Sequence, residues 1–367
     1  MSNTVINILQ LLGSVNRGGT EILVYDICKN YPKELGLQHL ISYKGGDLEN
    51  DFINAGIRYT NISKGFLGIK LIFTLRKYIR ENKIDIIHVH KTLDIFYVKL
   101  AVVGLNIKII QTLHSLGSSC YYRSMRYFAG IIASKTLFVS EDLFNIYKKR
   151  YKIRANYSVL YNGLDYKKLK TNSSSLRKEL NLSENAILAA MIGNFNYGRD
   201  HYTLCQALKA LNMSEQNLHF AFVGGAQKVE LYNKCFEYCK INSMLSNVHF
   251  LGIRKDIAEI LFNIDLFVYS SSTDTFGIAV VESMMSGTPV IVNDLPVFKE
   301  ITNDGKYALL YQTKNVDDLA NKIRYFLNNP DERKQLGDAG KNWAMENFTI
   351  EKHIAQLNQI YQGLLHA

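Results

Sequence analysis

The sequence is poor in proline, has no paired cysteine motif and contains no long apolar run. Only 4 of its 367 residues are proline, which excludes a long proline-rich linker. The 5 cysteines form no CxxC pair and show no zinc-site spacing, so we expect free buried thiols in a reducing cytoplasm. No uncharged apolar run approaches the ~18 residues of a transmembrane helix, and the N-terminal segment lacks the features of a signal peptide. We therefore expect a cytoplasmic protein without a transmembrane helix.

The excess of positive charge lies in the first half of the chain. The net charge is +10, and residues 1–165 hold 22 Lys and Arg against 12 Asp and Glu, whereas residues 166–367 hold 21 of each kind. A basic half favours an anionic partner, such as a phospholipid surface, a phosphorylated lipid or nucleic acid. The alternative is a charged surface that only keeps the protein in solution.

Short apolar, β-branched runs alternate with amphipathic stretches, a pattern typical of a doubly wound α/β fold with parallel sheets. The predicted strands lie at 5–12, 37–44, 57–63, 84–90, 108–114, 135–140 and 156–161, and, after a polar stretch at 171–175, at 186–194, 218–225, 248–252, 266–271, 288–294 and 306–311. Helices are predicted at 68–83, 202–211, 256–263, 317–328 and 350–365. Two α/β domains in series, 1–165 and 166–345, should leave a cleft and bind ligands at the carboxyl ends of their strands.

Glycines after the first strand could bind an anion. Gly13, Gly18 and Gly19 precede a helix that opens near Thr20, and such a loop presents backbone N–H groups to an anion. Neither a dinucleotide fingerprint nor a P-loop is present, however, and a plain strand–helix turn explains the glycines equally well.

Histidines mark the ends of two strands in the first half. His88 and His90 lie two apart in a strand and share a face. A metal pair is conceivable there, but no carboxylate or cysteine cluster accompanies it. His114 ends the run at 108–114, where a parallel sheet presents side chains to a ligand, so a functional role and a structural role are both open.

The most specific motif is S-S-S-T-D-T-F-G-I-A-V-V-E-S-M-M-S-G-T-P-V at 270–290. Residues 275–277 predict a turn that enters a helix. Asp274 then lies in the loop and Glu282 inside the helix. The N–H groups of the turn and the helix dipole would face an anion between these two acids.

This string resembles the signature of the retaining glycosyltransferases of family 4, which have the GT-B fold. The family pattern is E-G-F-G-x4-E-A-M-x-x-G-x-P-V, and this chain has D-T-F-G-x4-E-S-M-M-S-G-T-P-V. Further pieces occur in the family's order: G-G-T-E at 18–21, D-I-I-H-V-H at 85–90, T-L-H at 112–114, V-L-Y-N-G-L-D at 159–165, I-G-N-F-N-Y-G-R-D at 192–200, F-V-G-G at 222–225, F-L-G-I-R-K-D at 250–256 and D-L-F-V-Y-S at 265–270. The resemblance therefore covers nearly the whole chain. It implies that the helix at 346–367 packs back on the first domain.

The resemblance also implies roles for individual residues of the second domain. Glu282 matches the acid that hydrogen-bonds the donor ribose, and Asp274 matches the acid that contacts the transferred sugar. Phe276 and Gly277 match the loop whose amides meet the donor sugar and diphosphate. Arg199 matches the basic residue that neutralises the diphosphate.

Other donor-side roles follow from the same resemblance. Gly18 and Gly19 resemble the loop that closes over the diphosphate, and His114 resembles the histidine near the reacting carbon. Arg254 lies in the segment that often frames the base. Asn194 stands where many members carry a second arginine.

Two departures from the family pattern bear on the donor. Asp274 is one methylene shorter than the usual Glu, so its reach to a sugar hydroxyl is reduced. Asn194 removes one positive charge at the leaving group, while Arg199 keeps a fork that can grip phosphate in a bidentate way. No D-x-D motif occurs, so we expect no metal and no other cofactor beside the sugar nucleotide.

The basic half is expected to hold the acceptor. In the predicted helix at 70–83, Arg76, Lys77, Arg80 and Lys83 flank an apolar stripe. Two further clusters of basic and aromatic residues lie at 121–127 and 148–154. Solvated helix faces are one interpretation, and a peripheral site for a membrane surface or lipid phosphate is the other.

The sequence thus predicts a metal-independent, retaining hexosyl- or N-acetylhexosaminyltransferase. Its donor is expected to be a UDP-sugar, and its acceptor a glycan or lipid-linked glycan of capsule, lipopolysaccharide or glycolipid synthesis. A sugar-nucleotide epimerase of the same fold is one alternative. A non-catalytic protein that binds anionic surfaces or nucleic acid is another, although no nucleic-acid motif is present.

Overall fold

The computed structural model describes residues 5–62, 68–115, 121–169, 175–213 and 217–366, with the backbone alone for 121–123. The chain divides into two compact units. Unit 1 comprises Met1–Leu164 and Ile350–Ala367, and unit 2 comprises Asp165–Thr349. The sequence analysis placed these two boundaries after residues 165 and 345. The polar stretch at 171–175 lies outside the described residues apart from Ser175.

Strands and helices alternate along both units. The strands of the described chain are β1 (Ile6–Leu12), β2 (Gly36–Ser42), β3 (Arg58–Asn61), β4 (Ile86–Val89), β5 (Lys108–Leu113), β6 (Lys135–Phe138), β7 (Tyr157–Val159), β8 (Ile187–Ile192), β9 (Leu218–Val223), β10 (Val248–Gly252), β11 (Leu266–Tyr269), β12 (Val290–Asn293) and β13 (Leu309–Tyr311). The helices are α1 (Gly19–Asn30), α2 (Glu49–Asn54), α3 (Ile69–Glu81), α4 (Asp94–Ala101), α5 (Tyr121–Ile132), α6 (Glu141–Lys148), α7 (Ser175–Glu179), α8 (His201–Ala210), α9 (Val229–Ile241), α10 (Ile257–Asn263), α11 (Ile278–Ser286), α12 (Pro296–Ile301), α13 (Val316–Asn328), α14 (Pro330–Asn347) and α15 (Ile350–Leu365).

Unit 1 is built on a parallel sheet with the strand order β3-β2-β1-β4-β5-β6-β7. Alternate residues of β1 point to opposite faces. Leu9 and Leu11 join a core cluster with α3 and α4, whereas Ile8 joins a second cluster with Leu357 of α15. The last helix therefore completes one face of the first sheet.

Unit 2 is built on a second parallel sheet, with the order β10-β9-β8-β11-β12-β13. Its central strands bury large aromatic side chains, among them Phe220, Phe222 and Phe267. The predicted doubly wound α/β fold is confirmed in both units, and every predicted strand run contains an observed strand.

Helix α14, which is 18 residues long, is absent from the predicted helices. Its buried residues are Gly337, Gly340 and Ala344, so it shows no periodic row of large apolar side chains. A Cβ atom at Gly337 would collide with the backbone oxygen of Gly287. The contact face of the helix thus consists of glycine and alanine, which a search for hydrophobic periodicity does not detect.

None of the described helices is both long and apolar enough to cross a membrane. The described cysteines, Cys28, Cys205, Cys235 and Cys239, are free and buried, as predicted. Cys120 lies outside the described residues.

Candidate functional site

A tight glycine turn leads from β11 of unit 2 into α11. Gly277 precedes the helix with φ of +85°, a left-handed conformation that favours glycine. A Cβ at this position would also lie 2.8 Å from Cε1 of Phe298, so packing excludes a side chain as well. The turn enters the helix as predicted, and Glu282 lies half-buried in that helix.

The carboxylate of Asp274 accepts hydrogen bonds from the backbone amides of this turn. Its Oδ1 accepts hydrogen bonds from the N–H groups of Thr275, Phe276 and Gly277 at 2.8, 3.3 and 3.2 Å. The Phe276 ring is buried and packs edge-on against Phe348, so only its backbone is placed at the turn. In this structure these amides hold the chain's own carboxylate, and their contact with a donor anion stays a prediction.

Arg199 supplies the positive charge at this turn. Its Nη1 donates to Oγ of Ser271 at 3.1 Å and to the carbonyl of Thr273 at 3.3 Å, and it lies 3.2 Å from Oδ2 of Asp274. The guanidinium carbon lies 5.1 Å from the ring centroid of Tyr269, whose hydroxyl donates to the same Oδ2. The cation predicted to neutralise a diphosphate is therefore paired within the chain.

Two further residues predicted to bind the donor are engaged inside unit 2. The Oδ1 atom of Asn194 accepts a 2.7 Å hydrogen bond from the N–H of Gly225 and so joins the ends of β8 and β9. The guanidinium of Arg254 donates to the carboxylates of Asp256 and Glu179 at 2.6 to 3.1 Å. These hydrogen bonds, led by those to Asp256, raise the pKa of Arg254.

The glycine loop of unit 1 also holds a carboxylate of its own chain. Gly18 caps α1 and Gly19 begins it. The Oε2 atom of Glu21 lies 2.6 Å from the place of a Cβ at Gly18, and burial raises the pKa of Glu21. The amine of Lys91 fills the space that a side chain at Gly13 would need. The close approach that these glycines allow is thus used by Glu21 and Lys91.

His90 links His114 to buried groups of the unit 1 sheet. Its Nδ1 lies 3.0 Å from Nε2 of His114, and its Nε2 lies 2.9 Å from Oε1 of Gln10. The Gln10 amide nitrogen donates to Gln38 at 3.1 Å, so the Gln10 oxygen faces His90 and can only accept. His90 therefore carries its proton on Nε2 and accepts a hydrogen bond from Nε2–H of His114. His114 is a neutral imidazole with an unprotonated Nδ1.

His88 extends this network to the last helix. Its Nδ1 lies 2.8 Å from the hydroxyl of Tyr361 in α15, and its Nε2 lies 2.7 Å from Oγ1 of Thr112. Burial lowers the pKa of His88 to about 3 and that of His114 to about 4, which keeps both rings neutral. Both nitrogens of His88 and of His90 bond protein groups, so the metal pair considered for these two histidines does not form in this structure.

A cavity of about 680 Å³ lies at the carboxyl ends of the strands of unit 1. This volume is within the ~300–1,000 Å³ of small-molecule sites. Its lining includes His90, His114 and Arg126 of the cluster at 121–127, together with three residues that the sequence analysis did not single out: Tyr43, Lys91 and Asp94. The signal was available, because K-T-L-D at 91–94 directly follows a predicted strand.

The four basic residues of the predicted acceptor helix are not equivalent. In α3, Lys77 and Arg80 are exposed, as is Lys83 just beyond its end. Nη1 of Arg76 donates instead to the carbonyl oxygens of Ala101 and Val103 at 2.9 and 2.7 Å. Arg76 thus ties α3 to the end of α4, and its assignment to an acceptor or membrane surface is corrected. In the cluster at 121–127 the side chains of 121–123 lie outside the described residues, whereas the cluster at 148–154 is described throughout, with Lys148, Lys149 and Arg150 exposed.

Two family models match this chain. Residues 17–168 match the model described as Glycosyltransferase Family 4, and residues 172–343 match the one described as Glycosyl transferases group 1. The two matches lie one after the other and together span most of the sequence.

Individual proteins of known name agree with these matches. The chain is 26% identical over 301 residues to N-acetyl-alpha-D-glucosaminyl L-malate synthase of Bacillus anthracis, with 78% of this chain and 76% of the relative covered. It is 30% identical over 154 residues to the N,N'-diacetylbacillosaminyl-diphospho-undecaprenol alpha-1,3-N-acetylgalactosaminyltransferase of Campylobacter jejuni, with 42% and 39% covered. The crystal structure of Anabaena HepE with UDP and glucose superposes with a TM-score of 0.87 at 19% identity and covers 97% of this chain and 99% of its own. This likeness shows the GT-B fold.

Proposed function

The chain is a glycosyltransferase of family 4, the glycosyl transferases group 1, and we propose that it moves a hexose or N-acetylhexosamine from a UDP-sugar to a glycan or lipid-linked acceptor. The anomeric configuration is retained, and no metal takes part. Family membership favours this function over an epimerase or a non-catalytic binding protein. Capsule, lipopolysaccharide and glycolipid synthesis are the processes that such a product would serve.

The turn at 274–277 is the observation that carries the donor side of the proposal. Its amides and Arg199 already hold one carboxylate, so the site stabilises an anion at the N-terminus of α11. The diphosphate of the donor exchanges with the Asp274 carboxylate, which then turns to the transferred sugar. Arg199 and the amides stabilise the charge that develops on departing UDP. Glu282 hydrogen-bonds the ribose, and the acceptor hydroxyl attacks from the face that UDP leaves.

The cavity of unit 1 supports an acceptor site. It is lined by His114 and by polar groups at the carboxyl ends of parallel strands, where ligands of such sheets bind. The Campylobacter relative is named for a diphospho-undecaprenol acceptor, and the Bacillus relative for L-malate. The names of these relatives thus include both a lipid-linked and a soluble acceptor.

Titration calorimetry with UDP tests the donor assignment. Replacing Glu282 by Ala should weaken UDP binding roughly tenfold or more, because a charge-assisted hydrogen bond is worth ~1.5–3 kcal/mol. Glu184→Ala is the matched control, since Glu184 is an exposed loop residue of unit 2. Equal affinities of parent and Glu282→Ala would show that Glu282 does not bind the ribose.

Hydrolysis of UDP-glucose without acceptor tests the stereochemistry and the metal independence. Followed by proton NMR, it should give α-glucose first, and the activity should persist in EDTA. First formation of β-glucose, or loss of activity that Mg²⁺ restores, would contradict the proposed chemistry.

We also expect peripheral binding to the inner face of the plasma membrane through α3 of unit 1. Ile69 and Phe73 are 73% and 66% exposed beside the basic residues Lys77 and Arg80, a combination that suits an anionic lipid surface. Each basic side chain near such a surface contributes about 1 kcal/mol, and salt screens it. Phe73→Ser combined with Lys77→Gln and Arg80→Gln should abolish co-sedimentation with anionic liposomes and leave UDP binding intact. Unchanged sedimentation would show that these basic residues of α3 form only a solvated helix face.

A further inference from the structure

The cavity of unit 1 contains the carboxyl group of Asp94, which lies near Lys91 and Tyr43 and has one buried oxygen atom that makes no hydrogen bond of good geometry. Asp94 is 5% exposed, it lines the cavity, and its Oδ2 atom is buried without a hydrogen bond within the described residues. An unpartnered buried acceptor costs free energy that a better-bonded side chain would avoid. Asp94 therefore marks a place where a hydrogen-bond donor from outside the chain would be bound.

A second buried polar group lies beside Asp94. The hydroxyl of Tyr43 is close enough to Asp94 for the carboxyl charge to raise its pKa further after burial has raised it. This hydroxyl likewise makes no hydrogen bond of good geometry within the described chain. A ligand hydroxyl needs one acceptor and one donor. Asp94 and Tyr43 together provide that pair.

The rest of the cavity is rich in positive charge. Lys44, Lys91 and Arg126 line it with Asp94 as their counterpart of opposite sign. The amine of Lys91 is held over Gly13 at the end of β1. Three cations with a single carboxyl suit an anionic group such as a phosphate or a carboxylate.

We propose that this cavity binds an acceptor in which a hydroxyl group lies close to an anionic group, with the hydroxyl on Asp94 and Tyr43 and the anionic group on Lys91 and Arg126. The proposal rests on the acceptor role given to unit 1 and adds the chemical class that this site selects. Hydroxyl-bearing phosphates, either free in solution or in a lipid headgroup, share this chemistry.

Calorimetry on the full chain with two small phosphates tests the role of Asp94. Glycerol 3-phosphate carries hydroxyls beside its phosphate, and propyl phosphate lacks them. At pH 8, above the Asp94 pKa of about 7 that burial produces, the parent should bind glycerol 3-phosphate at least about tenfold more tightly. Asp94→Leu and the isosteric Asp94→Asn should bring the ratio of the two affinities towards one. Asp51→Asn should leave it unchanged, because this half-buried carboxylate of α2 pairs with Arg17 and does not line the cavity.

A second variant separates the anionic group from the hydroxyl. Lys91→Met should weaken both probes by the same factor and keep their ratio, because both carry the same phosphate. A ratio near one in the parent, a ratio that survives in both Asp94 variants, or no binding of either probe at about 1 mM, a Kd that corresponds to −4.1 kcal/mol, would overturn the proposal. Circular dichroism confirms that each variant is folded.

Vesicles distinguish the two sources of the ligand. Phosphatidylglycerol presents hydroxyls beside its phosphate, and phosphatidylethanol does not. A preference for phosphatidylglycerol that Asp94→Leu removes identifies a lipid headgroup, and no preference together with selective binding of glycerol 3-phosphate identifies a soluble phosphate. UDP titration distinguishes failure of this inference from failure of the proposed function. If UDP binds and the probes do not, this inference alone fails. If the probes discriminate and no nucleoside diphosphate binds, the proposed transferase function fails instead.

Discussion

The two sheets of this protein bury different chemistry in their central strands. In unit 1, Gln10 of β1, His88 of β4 and His90 directly after β4 form a buried hydrogen-bonded network, whereas in unit 2 the buried side chains of β8 and β9 are apolar, Phe220 and Phe222 among them. A polar network is stable only while every member keeps its partner and its protonation state. An aromatic core depends instead on shape and volume. Unit 1 should therefore be sensitive to pH, and unit 2 to steric change.

Acidification should produce the largest difference in stability between the two units. Burial lowers the pKa of His88 to about 3 and those of His114 and His353 to about 4, below the ~6.5 of an unfolded chain. The unfolded chain therefore binds protons from about pH 6.5 downward, while folded unit 1 does not until about pH 4. The stabilisation is complete above pH 6.5 and is lost as the pH falls, by up to about 1.4 kcal/mol per pH unit for each histidine.

The single tryptophan of the chain allows the two units to be followed separately. Trp343 lies in α14 of unit 2, donates to the carbonyl of Ile301 and stacks on Tyr307. In urea at pH 5, the circular dichroism signal should begin to fall before the fluorescence of Trp343 changes, and at pH 7 the two transitions should lie closer together. Unit 2 also buries histidines, His201 among them, so its transition should shift as well, but by less. Coincident transitions at pH 5 would contradict the contrast.

A methyl group added at a close backbone contact should destabilise unit 2 instead. Gly337→Ala places a methyl group against the carbonyl oxygen of Gly287, which forces α14 away from α11 and should cost about 2–3 kcal/mol. Gly363→Ala in α15 is the matched control, because nothing lies within 4 Å of that position. The control should gain up to about 1 kcal/mol from helix propensity. Urea unfolding followed by Trp343 fluorescence measures the first variant, and no loss of stability there would show that α14 adjusts freely.

Removal of a single hydroxyl tests the contribution of the polar network of unit 1 separately from that of the apolar packing around it. Tyr361→Phe keeps the ring but removes the hydroxyl that bonds Nδ1 of His88 and Nε2 of Gln10, and it should cost about 1–2 kcal/mol. Tyr31→Phe removes a hydroxyl that donates to Oδ1 of Asn358 in α15 at 2.7 Å. This single hydrogen bond lies outside the histidine network, so its loss should cost less. Denaturant midpoints of the two variants measure the difference. Equal losses would mean that the network adds nothing specific.

The sheets could be predicted from the sequence because strands buried on both faces are continuous apolar runs. The run at 84–90 shows this most clearly, since β4 occupies Ile86–Val89 with every residue buried. Helix α14 could not be found this way, because Gly337 and Gly340 form its contact face. What identifies such a helix is the close approach of another backbone, which depends on residues distant in the sequence.

The loop at 274–277 could be located from its sequence motif, whereas its hydrogen bonds could not be predicted. Asp274 and Arg199 could be located by motif, but their mutual pairing depends on the way the loop after β11 folds back on itself. Sequence spacing also gave no sign that Asp94 would be buried beside Tyr43, because these residues come from segments after two different strands. Burial and protonation belong to the assembled unit, and local patterns do not carry them.

The return of the chain to unit 1 has a consequence for the order in which the molecule is made. Helix α15 covers a face of the first sheet, yet the ribosome produces it only after all of unit 2. At ~5–20 residues per second, unit 1 waits roughly 10 to 40 s for its last helix. During this interval Ile8, Ile27 and Leu137 lack the cover that Leu357 and Tyr361 later provide. The nascent first sheet is thus an apolar surface suited to a chaperone, and unit 2 can complete its core before unit 1 does.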